Sequence, residues 1–242
     1  MSERKLKDTI VKTAFILGAG LGTRLLPLTE KMPKPLLPIG GRPVITYAFD
    51  HLLALQVRRF IINTHHLAHR YSEVFPGCNW RGIPLIFRHE SHLLDTGGGL
   101  KNIESLLNDE EDLIVYNGDV ISNLPLIELV ATHRSRNFLV TLALRSKGDP
   151  LSVVTNEKRE VVGFYRIPGA GEQVFLFTGI YMVSREFFSY LKDGVPLSVI
   201  TYFQEILLQK PGSLGGAVID EGYWYDIGTP EKYYRVKELF EK

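Results

Sequence analysis

Residues 14–39 read AFILGAGLGTRLLPLTEKMPKPLLPI, and this stretch decides the fold. The apolar run 14–17 has the composition of a buried strand. Gly18, Gly20 and Gly22 follow at alternate positions. Glycine lets a backbone turn sharply and lets a ligand approach closely. Successive backbone N–H groups in such a loop form a concave anion site. Arg24 stands just beyond the glycines, and Lys34 lies between Pro33 and Pro35, whose fixed φ stiffens the segment. A strand, a glycine turn, a tethered Arg and a tethered Lys suggest a polyphosphate site. The competing reading is that the glycines only make a tight turn.

Working outward, short apolar runs alternate with amphipathic stretches. Strands are expected at 13–17, 59–63, 83–88, 112–116 and 138–145. Helices are expected at 43–56, 66–75, 98–107 and 124–136. Such alternation predicts a mainly parallel sheet with helices on both faces. Beyond residue 146 three strands come in quick succession, at 152–155, 160–165 and 174–183, and predict antiparallel pairing. Helices at 185–191 and 198–209, a strand at 216–219 and a short aromatic strand before Asp226 follow. Thr229-Pro230-Glu231 marks a final helix start, with Thr as N-cap, Pro at the first position and Glu in the first turn. The expected layout is a tail over 1–12 and one domain over 13–242, with no internal repeat or long linker.

The chain has 242 residues, 45% hydrophobic and 23% charged, enough for a sizeable core. Its net charge of +1 gives no global field for nucleic acid or an anionic membrane, so any basic site is local. The single cysteine, Cys78, excludes an intramolecular disulfide and fits a reducing compartment. The charged start MSERKLKDTIVKT lacks the apolar segment of a signal peptide, and no apolar run reaches bilayer length. A cytoplasmic protein is expected.

Two common glycine motifs do not apply. Walker A requires Gly-Lys-Ser/Thr after four intervening residues. The dinucleotide fingerprint requires G-x-G-x-x-G and an acid ending the second strand. Here the spacing is G-x-G-x-G, and the second strand ends without Asp or Glu. The longer pattern GAGLGTRLLPLTEKMPKPLLPIGGRP, residues 18–43, is far more specific. It resembles the signature of the sugar-1-phosphate nucleotidyltransferases, the nucleotide-sugar pyrophosphorylases. The resemblance runs from residue 13 to the end of the chain. It implies a three-layer α/β/α fold of Rossmann-like type on a mostly parallel mixed sheet. It also implies a nucleotide-binding half over 13–146 and a sugar-phosphate-binding half over 147–242.

Two carboxylates stand at strand ends, where ligands of open α/β sheets sit. Asp119 lies in YNGDV and Asp226 in WYDIGTPEKY. Each also has an ordinary reading, Asp119 as part of an Asn-Gly-Asp turn and Asp226 as a capping group near Thr229. Two carboxylates can share one Mg²⁺, whose other positions take water and phosphate oxygens. The resemblance implies that Asp119 and Asp226 hold this catalytic metal. It implies further that Arg24 holds the leaving pyrophosphate and that Lys34 neutralises charge at the reacting phosphates. The implied reaction is attack of a sugar 1-phosphate on the α-phosphorus of an NTP. It needs no general base, because the attacking phosphate is already ionised.

The nucleotide is expected against Leu17, Gly18, Ala19, Gly20, Gly22, Thr23 and Arg24, and against RHESHLLDTGGGLKN, residues 88–102. In that segment Glu90 is expected to face the base, and Gly97 and Gly98 to precede a helix and offer backbone N–H groups. A tight strand-to-helix turn is the alternative for these glycines. Glu90 suits the two adjacent donors of guanine. The D-T-G-G-G form resembles uridylyltransferases for N-acetylmuramate 1-phosphate, so GTP and UTP both stay open. Asn63 and His65 are expected to edge the nucleotide pocket. Adjacent His65 and His66 are expected to point different ways, against a zinc site.

On the sugar side the family carries Glu-Lys-Pro where this chain reads VVGFYRIPG, residues 161–169, leaving Arg166 as a substitute. Asn117, Thr178 and Gly179 are candidates there, with core-strand positions the alternative for the last two. Members with acyltransferase or allosteric domains extend further at the C-terminus. The end after the Asp226 helix leads to the expectation of a minimal enzyme, monomeric or a small homo-oligomer. Two rivals are a cytidylyltransferase acting on phosphocholine or a similar phosphate, and a non-catalytic nucleotide-sugar sensor.

Overall fold

The computed structural model describes residues 10–108 and 112–241. Its strands are β1 (Thr13–Leu17), β2 (Pro38–Ile39), β3 (Arg42–Pro43), β4 (Arg59–Thr64), β5 (Asn79–Trp80), β6 (Ile83–His89), β7 (Leu113–Asn117), β8 (Val120–Ser122), β9 (Val140–Arg145), β10 (Leu151–Thr155), β11 (Val161–Phe164), β12 (Gln173–Val183), β13 (Leu214–Val218) and β14 (Trp224–Asp226). The α-helices are α1 (Ile45–Leu53), α2 (His69–Val74), α3 (Asp95–Asn102), α4 (Ile127–Arg136), α5 (Val199–Gln209) and α6 (Pro230–Phe240). The stretch 185–191, expected as an α-helix, forms a 3₁₀ segment, Arg185–Tyr190.

The central sheet runs β11-β10-β12-β7-β1-β4-β6-β5, with β9 also paired to β12 and β13 paired to β9. Strands β7, β1, β4 and β6 are parallel, whereas β12 pairs antiparallel with β7, β9 and β10. The near-continuous apolar runs of the parallel strands follow from burial on both faces. Ala14 and Ile16 of β1 join one core cluster with Phe49 and Leu52 of α1 and Val130 of α4. Phe15, between them, joins the opposite cluster with Leu100 of α3 and Phe203 of α5. Alternation along one strand therefore meets helices on each side, giving three layers.

A third, smaller cluster ties the two ends of the chain together. Leu25, Leu37, Ile39, Tyr47, Ile121, Ile227 and Tyr233 pack beneath the glycine loop. Thr229 caps α6 by accepting from Lys232 N, and Tyr233 donates its hydroxyl to Pro38 O at 2.8 Å. Residues 1–9 of the expected tail lie outside the described residues. Val11 does not belong to a tail: it is 1% exposed, and its N–H donates to Leu55 O. Among the described residues no helix is long and apolar enough to cross a membrane.

Candidate active site

A cleft of about 530 Å³ opens over the carboxyl ends of β7, β1, β4 and β6. Of the residues expected from sequence, Leu17, Ala19, Gly20, Lys34, Glu90, Asn117 and Asp119 line it. Asn63 lines it as well. Its volume lies within the range of small-molecule sites, roughly 300–1,000 Å³.

The glycine loop is built by position. A β-carbon on Gly18 would sit 2.6 Å from Asn63 O, so only glycine fits. Gly18 N donates to Asn63 Oδ1 at 2.7 Å, and Tyr71 Oη donates to Gly18 O at 2.9 Å. Burial pushes the Tyr71 phenol well above its usual range and keeps it a donor. The Gly18 amide is thus taken by Asn63. Gly22 has φ +67° and starts the 3₁₀ turn Thr23–Leu25. Gly20 faces open space and serves approach rather than packing. Thr23 and Arg24 lie outside the cleft lining, on the exposed side of the turn.

The carboxylates are brought together by a ribbon. Antiparallel pairing of β8 with β14 sets Asp226 opposite Val120, the neighbour of Asp119. Ile227 N donates to Asp119 O at 3.1 Å, which closes the ribbon. Lys34 Nζ lies 2.5 Å from Asp119 Oδ2, and Lys232 Nζ lies 2.6 Å from Asp226 Oδ2. Gly228 N donates to the other Asp226 oxygen at 3.0 Å. Arg24 reaches the same end: a β-carbon on Gly228 would stand 3.4 Å from its Nη2. Lys232 escaped sequence reasoning. Its signal was its place in the first turn of the helix that Thr229 caps.

Glu90, expected to face the base, is 1% exposed with both oxygens engaged. Oε1 accepts from Asn63 Nδ2 at 2.7 Å, and Oε2 accepts from Leu94 N at 3.1 Å. Asn63 is therefore a hub between the glycine loop and the 90–94 turn. His65 Nδ1 donates to Glu90 O and His66 Nε2 to Thr29 O, so the two rings serve different partners.

The glycine triplet lies inside α3, not ahead of it. β-Carbons at Gly97, Gly98 and Gly99 would come 2.6 Å from the Tyr202 ring, 2.4 Å from Val195 O and 2.7 Å from Asn63 Nδ2. The Gly97 and Gly98 amides donate to Leu197 O at 2.9 and 3.2 Å. These glycines permit close packing, and the Gly97 and Gly98 amides are taken by Leu197 O. Glycine inside a helix costs about 1 kcal/mol relative to alanine, so contact sets these positions rather than propensity.

On the sugar side, Thr178 is fully buried and donates its hydroxyl to Ala143 O at 2.8 Å, the core-strand position weighed as its alternative. Arg166 folds back over Gly163 and pairs with Glu172 at 2.7 Å, within the loop that joins β11 to β12. Asn117 and Gly179 do meet. Gly179 has φ +75°, and a β-carbon there would stand 2.4 Å from Asn117 Nδ2. Gly179→Ala is therefore expected to displace Asn117 and to cost about 1–3 kcal/mol in stability through strain. Thermal melting and separate KM values check this: KM for the sugar phosphate rises while that for the NTP holds.

The sequence profile of the family described as "Nucleotidyl transferase" matches residues 13–242, and the chain belongs to that family. A mannose-1-phosphate guanylyltransferase of Mycobacterium tuberculosis is 32% identical over 92% of this chain and 62% of its own length. A D-glycero-alpha-D-manno-heptose 1-phosphate guanylyltransferase of Aneurinibacillus thermoaerophilus is 28% identical over 93% of this chain and 97% of its own. The chain thus spans under two thirds of the mannose relative and nearly all of the heptose relative. Among solved structures, HddC of Yersinia pseudotuberculosis complexed with GMP-PN aligns with TM-score 0.78 and 23% identity, covering 95% of this chain and 100% of that one. The inositol-1-phosphate CTP transferase from T. maritima aligns with TM-score 0.77 and 18% identity over 96% and 97%.

Proposed function

We propose that the chain transfers a nucleotidyl group from an NTP to a sugar 1-phosphate, releasing pyrophosphate. The observation that carries this reading is the β8–β14 ribbon, which sets Asp226 beside Asp119; Asp119 and its partner Lys34 line the cleft, and Arg24 lies close to Gly228, two residues beyond Asp226. A sugar-phosphate oxygen forms a bond to the α-phosphorus, the bond from that phosphorus to the bridging oxygen breaks, and the electron pair leaves on pyrophosphate. The attacking oxygen is ionised already, so no side chain has to take a proton. Positioning and charge neutralisation carry the rate. Lys34 sets an ammonium beside the reacting phosphates, and Arg24 holds the leaving group from the exposed side of its turn. Asn117, backed by Gly179, faces the sugar phosphate.

The donor set fits a hard cation. Asp119 and Asp226 supply only oxygens, and each already gathers a positive charge, from Lys34 and from Lys232. Mg²⁺ suits one or two carboxylates plus phosphate oxygens, and when bound it would neutralise charge on the phosphates of both substrates. The relatives named as guanylyltransferases of mannose and heptose 1-phosphates support GTP with one of these sugars. UTP with N-acetylmuramate 1-phosphate is the second pairing carried from the sequence.

Pyrophosphate release across a panel of NTPs and sugar 1-phosphates tests the reading. Release that requires both substrates supports it. Silence with every pair favours a sensor, and release only with CTP and phosphocholine favours a cytidylyltransferase. Arg24→Gln is expected to lower kcat/KM by roughly 30-fold, about 2 kcal/mol for one charged phosphate contact. The same variant is expected to raise KM for pyrophosphate in the reverse direction.

A further inference from the structure

Both acids of the β8–β14 ribbon end carry an ammonium, but the two lysines are placed differently. Lys34 sits in its proline-stiffened segment and lines the cleft with Asp119. Lys232 stands in the first turn of α6, at the third helical position. The positive end of the helix dipole makes this an unfavourable place for a cation. Its backbone N–H is already used, donating to Thr229 Oγ1. Its side chain turns back over six residues to Asp226, with Nζ 2.6 Å from Oδ2.

The helix does not need this pair to stay in place. Thr229 caps α6, Tyr233 ties it to Pro38 O, and Ile227 N fixes the ribbon to Asp119 O. With the Lys232 side chain 45% exposed, the pair adds little stability. What it changes is access to Asp226. Gly228 N holds Oδ1 at 3.0 Å, and Lys232 occupies the other oxygen. An ammonium at 2.6 Å and a Mg²⁺ on the same oxygen would stand within about 5 Å of each other and repel. Arg24, beside Gly228, adds a further cation. Lys34, Lys232 and Arg24 thus stand against two acids, Asp119 and Asp226. That balance resists a lone divalent cation and favours one that arrives with phosphate.

We propose that Lys232 is a built-in competitor for the metal: its ammonium occupies Asp226 and has to leave before a divalent cation binds there. The flexible four-carbon stem lets it leave without moving α6. The inference rests on the metal role proposed above for Asp119 and Asp226, and it adds the residue that opposes a cation arriving alone.

Titration of Mn²⁺ alone, without nucleotide, into the full chain tests it, with free Mn²⁺ read by electron paramagnetic resonance. Mn²⁺ takes the same oxygen donors. Lys232→Gln is expected to bind Mn²⁺ about threefold to tenfold tighter than wild type, the effect of removing one part-exposed ion pair and one repelling charge. Lys232→Arg, which keeps the cation, is expected to stay close to wild type. The gain is expected to vanish when Asp226→Asn is added to Lys232→Gln, which places it at Asp226. A lysine that only orients Asp226 predicts the opposite sign, weaker Mn²⁺ binding once it is removed. Equal or weaker binding in Lys232→Gln, or a gain that survives Asp226→Asn, overturns the competitor. Mn²⁺ bound by neither wild type nor Lys232→Gln overturns the metal role as well. A gain through Asp226 in a chain that stays silent in the pyrophosphate-release panel upholds the competitor and sinks the proposed reaction.

Discussion

Asp119→Ala and Asp226→Ala each lower kcat/KM by about 10³-fold, close to 4 kcal/mol of transition-state stabilisation, and leave the fold in place. The size follows from where the charge sits. In the proposed reaction several phosphate oxygens meet in one cleft, which Asp119 and Lys34 line and beside which the ribbon sets Asp226. Losing either would leave the proposed Mg²⁺ with one carboxylate to hold it. Stability is a different matter. Both acids are partly exposed, 21% and 23% for the side chains, and their partners Lys34 and Lys232 reach solvent. Such pairs contribute about 0–1 kcal/mol, so melting shifts by only a few degrees. Asn at either position is expected to match Ala, because charge and not shape is lost. Full turnover in either variant removes that residue from the site.

Asn63→Ala is expected to cost about 3 kcal/mol in stability and to raise KM for the NTP. Asn63 is 2% exposed and holds two elements at once. Its Oδ1 takes the Gly18 amide and its Nδ2 supports Glu90, itself buried. Truncation strands a buried N–H and removes a donor from a buried carboxylate, each costing about 1–3 kcal/mol. The glycine loop then loses its register against β4, which is why the effect extends to nucleotide binding. Asn63→Asp is expected to do worse, since it sets a second carboxylate against Glu90. Chemical denaturation and KM measurements check both variants. A stable Asn63→Ala with wild-type KM for the NTP would contradict the hub.

The parallel half of the sheet was legible because strands buried on both faces write continuous apolar runs, as at 13–17 and 112–116. The glycine loop was legible because its pattern is dense and local. The ribbon was not. β8 and β14 are three residues each and pair across about half the chain, and no local periodicity announces a contact of that kind. Asp226 was singled out by resemblance, and its adjacency to Asp119 emerges only from the fold. The packing role of Gly97 and Gly98 was not legible for a physical reason. Glycine serves ligand approach and helix packing equally well, and the ring of Tyr202 that demands it lies some hundred residues away. The bonds of Glu90 were hidden similarly, since its partners Asn63 and Leu94 are set by tertiary packing. On the sugar side, Thr178 reads as a polar strand residue, and only the bulge in β12 turns its hydroxyl to Ala143 O.

The most direct measurement of the central claim follows the phosphorus atoms. The preferred NTP, labelled with ³²P at the α or the γ position, is incubated with its sugar 1-phosphate and Mg²⁺. The predicted result is α label in the nucleotide sugar and γ label in pyrophosphate, in equal amounts and only when the sugar phosphate is present. Label from the γ position in inorganic phosphate, or release that does not need the sugar phosphate, would contradict nucleotidyl transfer at this site.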